Sequence, residues 1–258
     1  MKKRSSAPAH SVDISEESGV RYLHFGSDWI QGAMRIARPW SLELAYTREM
    51  MAGLLLRQAG KWPRHALLVG LGAGSLAKFI YRYLPDCRIT VVEINPQVEF
   101  VARHYFKLPD DPLRLDVVTG CGADYMLSGT RQFDYILLDG FDPDARAGAL
   151  DTEPFYQACR SRLSDDGLLC VNLLGRSKGF EASVTRIQQA FERRVAVLPS
   201  CDSGNAIALA AKPPTPAATL GELKTAATQL KRDTGLNLLP TLARLAQSRH
   251  LAAGQFKL

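Results

Sequence analysis

The run Ala66-Leu67-Leu68-Val69-Gly70-Leu71-Gly72-Ala73-Gly74-Ser75, leading into Leu76-Ala77-Lys78-Phe79-Ile80, constrains the fold more than any other stretch of the chain. A continuous apolar run suits a parallel strand buried on both faces. Glycines straight after it let the backbone turn sharply while a ligand lies against it. Gly70, Gly72 and Gly74 are spaced G-x-G-x-G, whereas the dinucleotide fingerprint G-x-G-x-x-G would need its third glycine where Ser75 stands. The spacing points away from NAD and towards an adenosyl-sulfonium ligand; the alternative is a tight turn with no ligand.

A second strand, Arg88 to Glu93, is rich in β-branched residues and ends in a carboxylate about 20 residues past the glycines, where doubly wound folds place the acid that grips ribose hydroxyls. Glu93 is therefore the first candidate binding residue.

From here the pattern alternates. Strands are expected at 66–70, 88–93, 114–119, 133–139, 167–173, 194–198 and 205–211, with helices at 74–83, 96–106, 122–128, 152–162 and 179–191. Such alternation with short connections makes an α/β protein with right-handed crossovers: a Rossmann-like, doubly wound, mostly parallel sheet covered on both faces. Ligands sit at the carboxyl ends of such strands, here Gly70, Glu93, Gly120 and Asp139.

Around this unit, expected over 63–212, residues 1–11 read as a tail. The segment 12–62 reads as a small antiparallel hairpin or meander, turning at Glu17-Ser18-Gly19 and Gly26-Ser27-Asp28, followed by a helix over Leu42–Gln58. Pro213-Pro214-Thr215-Pro216 opens a last segment, 213–258, in which Leu220, Leu223, Ala227 and Leu230, then Leu238, Leu242 and Leu245, recur at helical spacing. Two amphipathic helices are expected there, packed on the domain or on a second subunit of a homodimer.

The formal charge of +6 raises the question of nucleic acid, but no dense Lys/Arg face is interleaved with aromatics, and Lys2-Lys3-Arg4 sits in the polar tail. Neither nucleic acid nor membrane is an expected partner, since no run reaches the roughly 18 apolar residues of a span and no signal peptide is evident. A cytoplasmic protein is expected. Five cysteines, odd in number, scattered and without a C-x-x-C, argue against a disulfide framework or zinc, and no metal is expected.

Five short pieces then stand in order: Tyr46-Thr47-Arg48-Glu49-Met50-Met51, Gly70-Leu71-Gly72-Ala73-Gly74, Val92-Glu93-Ile94-Asn95-Pro96, Gly120-Cys121-Gly122 and Leu138-Asp139-Gly140-Phe141-Asp142-Pro143. Over roughly Leu44 to Leu174 the chain resembles the spermidine synthase (polyamine aminopropyltransferase) family, and more closely its shorter bacterial spermidine synthase-like members, which have the class I methyltransferase fold. The resemblance implies transfer of an aminopropyl group from decarboxylated S-adenosylmethionine to a small-molecule amine acceptor such as putrescine. It also implies that Gly70, Gly72, Ala73, Gly74, Glu93, Ile94, Cys121 and Gly122 surround the donor, that Asp139 is the catalytic aspartate, that Asp142 binds the acceptor's amine, and that Tyr46 lines the acceptor site.

The chemistry of amine alkylation asks for such residues. A protonated amine has no lone pair, so a carboxylate must take its proton and hold it in line. Asp139 ends the apolar strand Tyr135-Ile136-Leu137-Leu138 and opens a loop, although an aspartate there can also simply cap a turn. Asp139, Asp142, Asp144, Asp151 and Glu153 stand against Arg146 in this loop, a patch that would attract a cation; the alternative is a solvated loop in which Asp151 or Thr152 caps the next helix. Tyr46 is open in the same way, between site lining and core packing.

Two positions depart from the family's pattern. Ala73 stands where the synthases carry an aspartate for the donor's amine, and Cys121 where they carry one for the adenine, with Asp124 as a possible substitute one turn on. Each loss removes a polar contact on which discrimination depends. An S-adenosylmethionine-dependent methyltransferase on the same fold, and a non-catalytic nucleoside-binding relative, are therefore the alternative readings.

Overall fold

The computed structural model describes residues 11–26, 29–142, 144–200, 204–248, 251–252 and 254–258. The expected tail up to residue 10, the turn residues Ser27 and Asp28, and Pro143 of the aspartate motif lie outside the described residues. Strands β1 (Val12–Glu17), β2 (Val20–Phe25) and β3 (Gly32–Arg35) form the expected antiparallel meander.

The helix expected over Leu42–Gln58 is instead a short α1 (Ala45–Glu49) followed by a 3-10 turn at Ala52–Leu56. The break has a visible cause in the buried hydroxyl of Tyr135, which donates to the Met50 carbonyl and accepts from the Gly53 N–H at 3.3 Å. A continuous helix would give that carbonyl to the Leu54 N–H, which here bonds Met51 at 3.0 Å.

The main sheet contains β4 (His65–Val69), β5 (Arg88–Glu93), β6 (Leu115–Thr119), β7 (Phe133–Leu138), β8 (Leu163–Leu174), β9 (Val195–Val197) and β10 (Asn205–Ala211), in the order β6-β5-β4-β7-β8-β10-β9. Its first five strands are parallel, and β10 runs antiparallel to both β8 and β9. This is the doubly wound, mostly parallel sheet that the alternation predicts, and it agrees with the class I methyltransferase fold that the resemblance implies. Strand β8 begins earlier than the expected 167–173: its register against β7 jumps between the pairs Phe133↔Leu163 and Tyr135↔Leu168, so the turn-forming Ser164-Asp165-Asp166-Gly167 rides as a bulge on a continuous strand.

Alternate residues of β4 explain both layers. Ala66 and Leu68 join a cluster with Phe79 and Ile80 of α2 (Ser75–Tyr83) and Val98 and Ala102 of α3 (Pro96–Phe106). Leu67 and Val69 join the other, with α4 (Gly122–Ser128), α5 (Glu153–Ser161) and α6 (Phe180–Ala190). Strand order reverses between β4 and β7, and Val69 is level with both Val92 and Leu138. The loops after β4, β5 and β7 therefore meet at one crevice.

Beyond it, α7 (Leu220–Thr234) starts at a Thr219–Glu222 capping box, and α8 (Leu239–Leu245) follows. Leu223, Ala227, Leu242 and Leu245 are buried in the first cluster, so the apolar stripes of both helices are spent on the domain's own core. Not anticipated is a small antiparallel sheet of β11 (Ala217–Thr219), β12 (Leu251–Ala252) and β13 (Gln255–Lys257), with Phe256 buried. Strands of two or three residues carry no readable alternation and exist only as docked. No described helix is long and apolar enough to cross a membrane.

Candidate active site

Gly70, Gly72 and Gly74 all have positive φ (96°, 51° and 68°). The requirement is sharpest at Gly70, where a Cβ would collide with the Asp139 carbonyl. The loops after β4 and β7 thus touch backbone to backbone, held by Asp139 N–H to Val69 O at 2.9 Å. At Gly72 a Cβ would stand 3.0 Å from the carbonyl of Gln31, which places the segment leading into β3 over the glycine loop.

Glu93 is buried at the end of β5, and its two oxygens accept the backbone N–H groups of Leu71 and Asn95, each at 2.9 Å. Burial pushes its carboxyl pKa up, and backbone donors, Asn95 and Leu71 foremost, oppose the shift. The carboxylate therefore fastens the glycine loop to the turn after β5. Beside it Ile94 is 72% exposed, an apolar side chain held in solvent at the rim of the crevice.

Cys121 precedes α4 half-buried, and Gly122 lies so close to Val69 and Leu150 that a Cβ would meet both. Ala73 is placed differently. Its methyl is buried with Leu23, Met34, Val101 and Phe106, against the backbone of Gly32, so only its backbone is left to a ligand. Asp124 is exposed on α4.

At the end of β7, Asp139 is half-buried and doubly held. Tyr46 of α1 donates its hydroxyl to Oδ2 at 3.3 Å, and Asn172 of β8 donates its amide to Oδ1 at 2.8 Å. Burial raises the Asp139 carboxyl to a pKa of about 6, with the Asn172 and Tyr46 hydrogen bonds pulling the other way. Asn172 in turn accepts from the amide of Asn205 on β10 at 3.0 Å. Neither asparagine was expected in the site. The available signal was a lone amide inside the apolar run Leu168-Leu169-Cys170-Val171-Asn172-Leu173-Leu174, since a polar group there must find a partner.

The rest of the aspartate loop is less uniform than its charge pattern. Asp142 is exposed, and its Oδ1 accepts the Arg146 N–H at 2.8 Å, folding the carboxylate back on its own turn. Asp151, expected in an acidic patch, is instead neutralised: it binds Arg186 of α6 and accepts from Tyr156 at 2.9 Å and Ser183 at 2.7 Å. Thr152, not Asp151, caps α5. A cavity of about 280 Å³ opens at the carboxyl ends of β7 and β8, walled by Leu138, Gly140, Phe141, Leu150, Asn172 and Phe180 among others. Among the described residues no group of three His, Cys, Asp or Glu side chains is placed to hold a metal.

The geometry is thus a glycine cradle, an acid at the next strand end and a half-buried, doubly hydrogen-bonded carboxylate beside them. Comparison with known proteins points the same way. The model of the spermine/spermidine synthase domain matches residues 43–198. A polyamine aminopropyltransferase of Neisseria meningitidis is 39% identical over 92% of this chain and 89% of its own length. Among solved structures, human methyltransferase-like protein 13 in complex with SAH superposes with a TM-score of 0.66 at 25% identity, over 74% of this chain and 93% of that one. A spermidine synthase in complex with the transition-state analogue AdoDATO gives 0.65 at 23% identity, over 91% and 85%, a likeness of fold.

Proposed function

This chain belongs to the spermine/spermidine synthase family, and on that premise we propose that it transfers an aminopropyl group from decarboxylated S-adenosylmethionine to putrescine. The observation that carries the proposal is Asp139, a carboxylate of raised pKa held by two side chains at the end of β7, in backbone contact with the glycine loop. The chain is a transferase of the aminopropyltransferase kind; donor and acceptor are the finer reading proposed here.

The residues present fit an adenosyl donor. The positive φ angles of Gly70, Gly72 and Gly74 turn the loop sharply at the strand end with no side chain at those positions, Glu93 keeps lone pairs free for ribose hydroxyls, and Ile94 offers an apolar face to the adenine. The donor supplies a carbon beside a sulfonium, whose sulfur leaves as a neutral thioether. Asp139 takes the proton of the attacking amine as its nitrogen bonds that carbon, and a pKa of about 6 leaves the carboxylate ionised at neutral pH yet more basic than an ordinary aspartate. Tyr46 holds Oδ2 towards the crevice. Asp142, exposed on the loop after β7, draws in the acceptor's ammonium. We propose a cytoplasmic reaction and a homodimeric enzyme, the latter to be checked by light scattering.

One observation favours a second reading. With Ala73 buried in an apolar cluster, the glycine loop presents no carboxylate that would repel the α-carboxylate which distinguishes S-adenosylmethionine from its decarboxylated form, so this loop does not select against S-adenosylmethionine as a methyl donor. A transfer assay with putrescine, spermidine and cadaverine against S-adenosylmethionine and its decarboxylated form decides between them. Aminopropylated product from the decarboxylated donor is expected; methylated product alone would establish the methyltransferase reading, and no transfer with either would leave a nucleoside-binding protein.

A further inference from the structure

The polar chain behind Asp139 continues one strand further than catalysis by a single carboxylate needs. Asn172 and Asn205 are both buried, the first in the apolar run Leu168–Leu174 of β8 and the second at the start of an otherwise apolar β10, where an unsatisfied amide is costly. In the β8–β10 ladder Ile207 lies opposite Asn172 and Asn205 opposite Leu174, so the two amides are diagonal neighbours. Asn205 Nδ2 donates to Asn172 Oδ1, and Asn172 Nδ2 donates to Asp139 Oδ1.

An amide has one donating and one accepting end. Turned over, Asn172 would set its carbonyl against the Asp139 carboxylate and its NH2 against the NH2 of Asn205. While Asp139 is ionised, both ends forbid the flip. Once Asp139 is protonated its own end tolerates it, and Asn205 alone still resists.

We propose that Asn205 is a positioning residue for Asp139: by fixing the Asn172 amide it keeps Oδ1 of the carboxylate turned to β8 and holds Oδ2, which accepts the longer Tyr46 bond and keeps a further lone pair, as the oxygen that receives the amine's proton. The kinetic part of this inference rests on the transfer reaction proposed above; the titration of Asp139 does not. The titratable groups facing Asp139 are Tyr46 from α1 and Cys170 from β8, the latter kept a neutral thiol by burial, while β4 presents the backbone of the glycine loop. A shift on changing Asn205 would therefore be carried by the amide.

The test follows the Asp139 side-chain carboxyl by carbon-13 NMR titration in substrate-free protein, for wild type, Asn205→Leu, Asn205→Ala, Asn172→Leu and the Asn172→Leu/Asn205→Leu double variant, each checked for folding by circular dichroism. Asn205→Leu is expected to raise the Asp139 midpoint by about half to one pH unit, and Asn172→Leu by at least as much. In the double variant the second change should add nothing, because Asn205 acts only through Asn172. In the transfer assay, kcat/KM of Asn205→Leu should fall about two- to sixfold at pH 6 and little at pH 8, with the donor's KM unchanged. An unmoved midpoint in a folded Asn205 variant, or additive shifts in the double variant, would overturn the proposal. Asn205→Ser, which keeps a small polar group, takes the place of any variant that does not fold. A protein inactive with every acceptor, yet showing the NMR shift, would retain this inference and refute only the reaction.

Discussion

The carboxylate of Glu93 spends one lone pair of each oxygen on a backbone N–H, one from the glycine loop and one from the turn after β5, so the same group that would meet a ribose also builds the loop beneath it. Glu93→Ala should therefore lower methylthioadenosine affinity by about 1–3 kcal/mol, a loss read directly by calorimetry, and should lower thermal stability as well. Asp139 makes a separate prediction. Only its ionised form can take a proton, so kcat/KM should fall tenfold per pH unit below about pH 6, and Asp139→Asn should lose about 10²–10⁴ in turnover with donor affinity little changed. Asp142→Asn should act mainly on the acceptor's KM. At this scale the sequence was legible wherever a residue punctuates a strand: Gly70, Gly72, Glu93 and Asp139 stand at strand ends, where turn chemistry and ligand chemistry coincide. It was opaque where a role depends on a neighbour from another strand. Nothing local marks Asn172 as the partner of Asp139, Arg186 as the partner of Asp151, or the methyl of Ala73 as facing an apolar cluster.

Elements were readable when their own periodicity was long enough to decide them. The strands of the main sheet and helices α2 to α6 follow from alternation of apolar runs with 3.6-residue stripes. The helix over Leu42–Gln58 failed because a tertiary group, the Tyr135 hydroxyl, takes over a carbonyl that the helix would have used. Helix α2 carries a further consequence of burial. Lys78 is 1% exposed, its ammonium donates to the Phe106 carbonyl at the end of α3 at 2.7 Å, and desolvation lowers its pKa to about 7. The unfolded chain, with a lysine pKa near 10.5, binds more protons than the folded one between these values, so this group makes stability rise with pH across that window. The contribution is on the order of 4 kcal/mol. Urea unfolding of wild type and Lys78→Met at pH 7 and pH 10 should show the wild type gaining on the variant as pH rises; parallel behaviour would mean that the folded protein hydrates this lysine.

For the molecule as a whole, the C-terminal segment lies far along the chain from Asp139 yet is tied to the element that holds it. Thr241 of α8 donates to Glu49 Oε1 at 3.0 Å and Arg244 pairs with the same carboxylate, which is 3% exposed. Glu49 ends the short α1 that begins with Ala45 and Tyr46, so the clamp at one end fixes the helix whose other end reaches Asp139. Arg244→Met strands a buried charge and should cost about 3–5 kcal/mol of stability, whereas Glu49→Gln in the same protein should recover much of it, because the charge that needed a partner is gone. Truncation after Lys212 removes the clamp and uncovers the cluster that Leu223, Leu242, Leu245 and Phe256 cover. The truncated chain should melt at a lower temperature and lose turnover through a misplaced Tyr46. Because the stripes of α7 and α8 are consumed within the subunit, the oligomeric state of the Arg244→Met variant should equal that of the wild type by light scattering even as its melting temperature falls. A change of mass with no loss of stability would instead mean that these helices serve an interface between subunits.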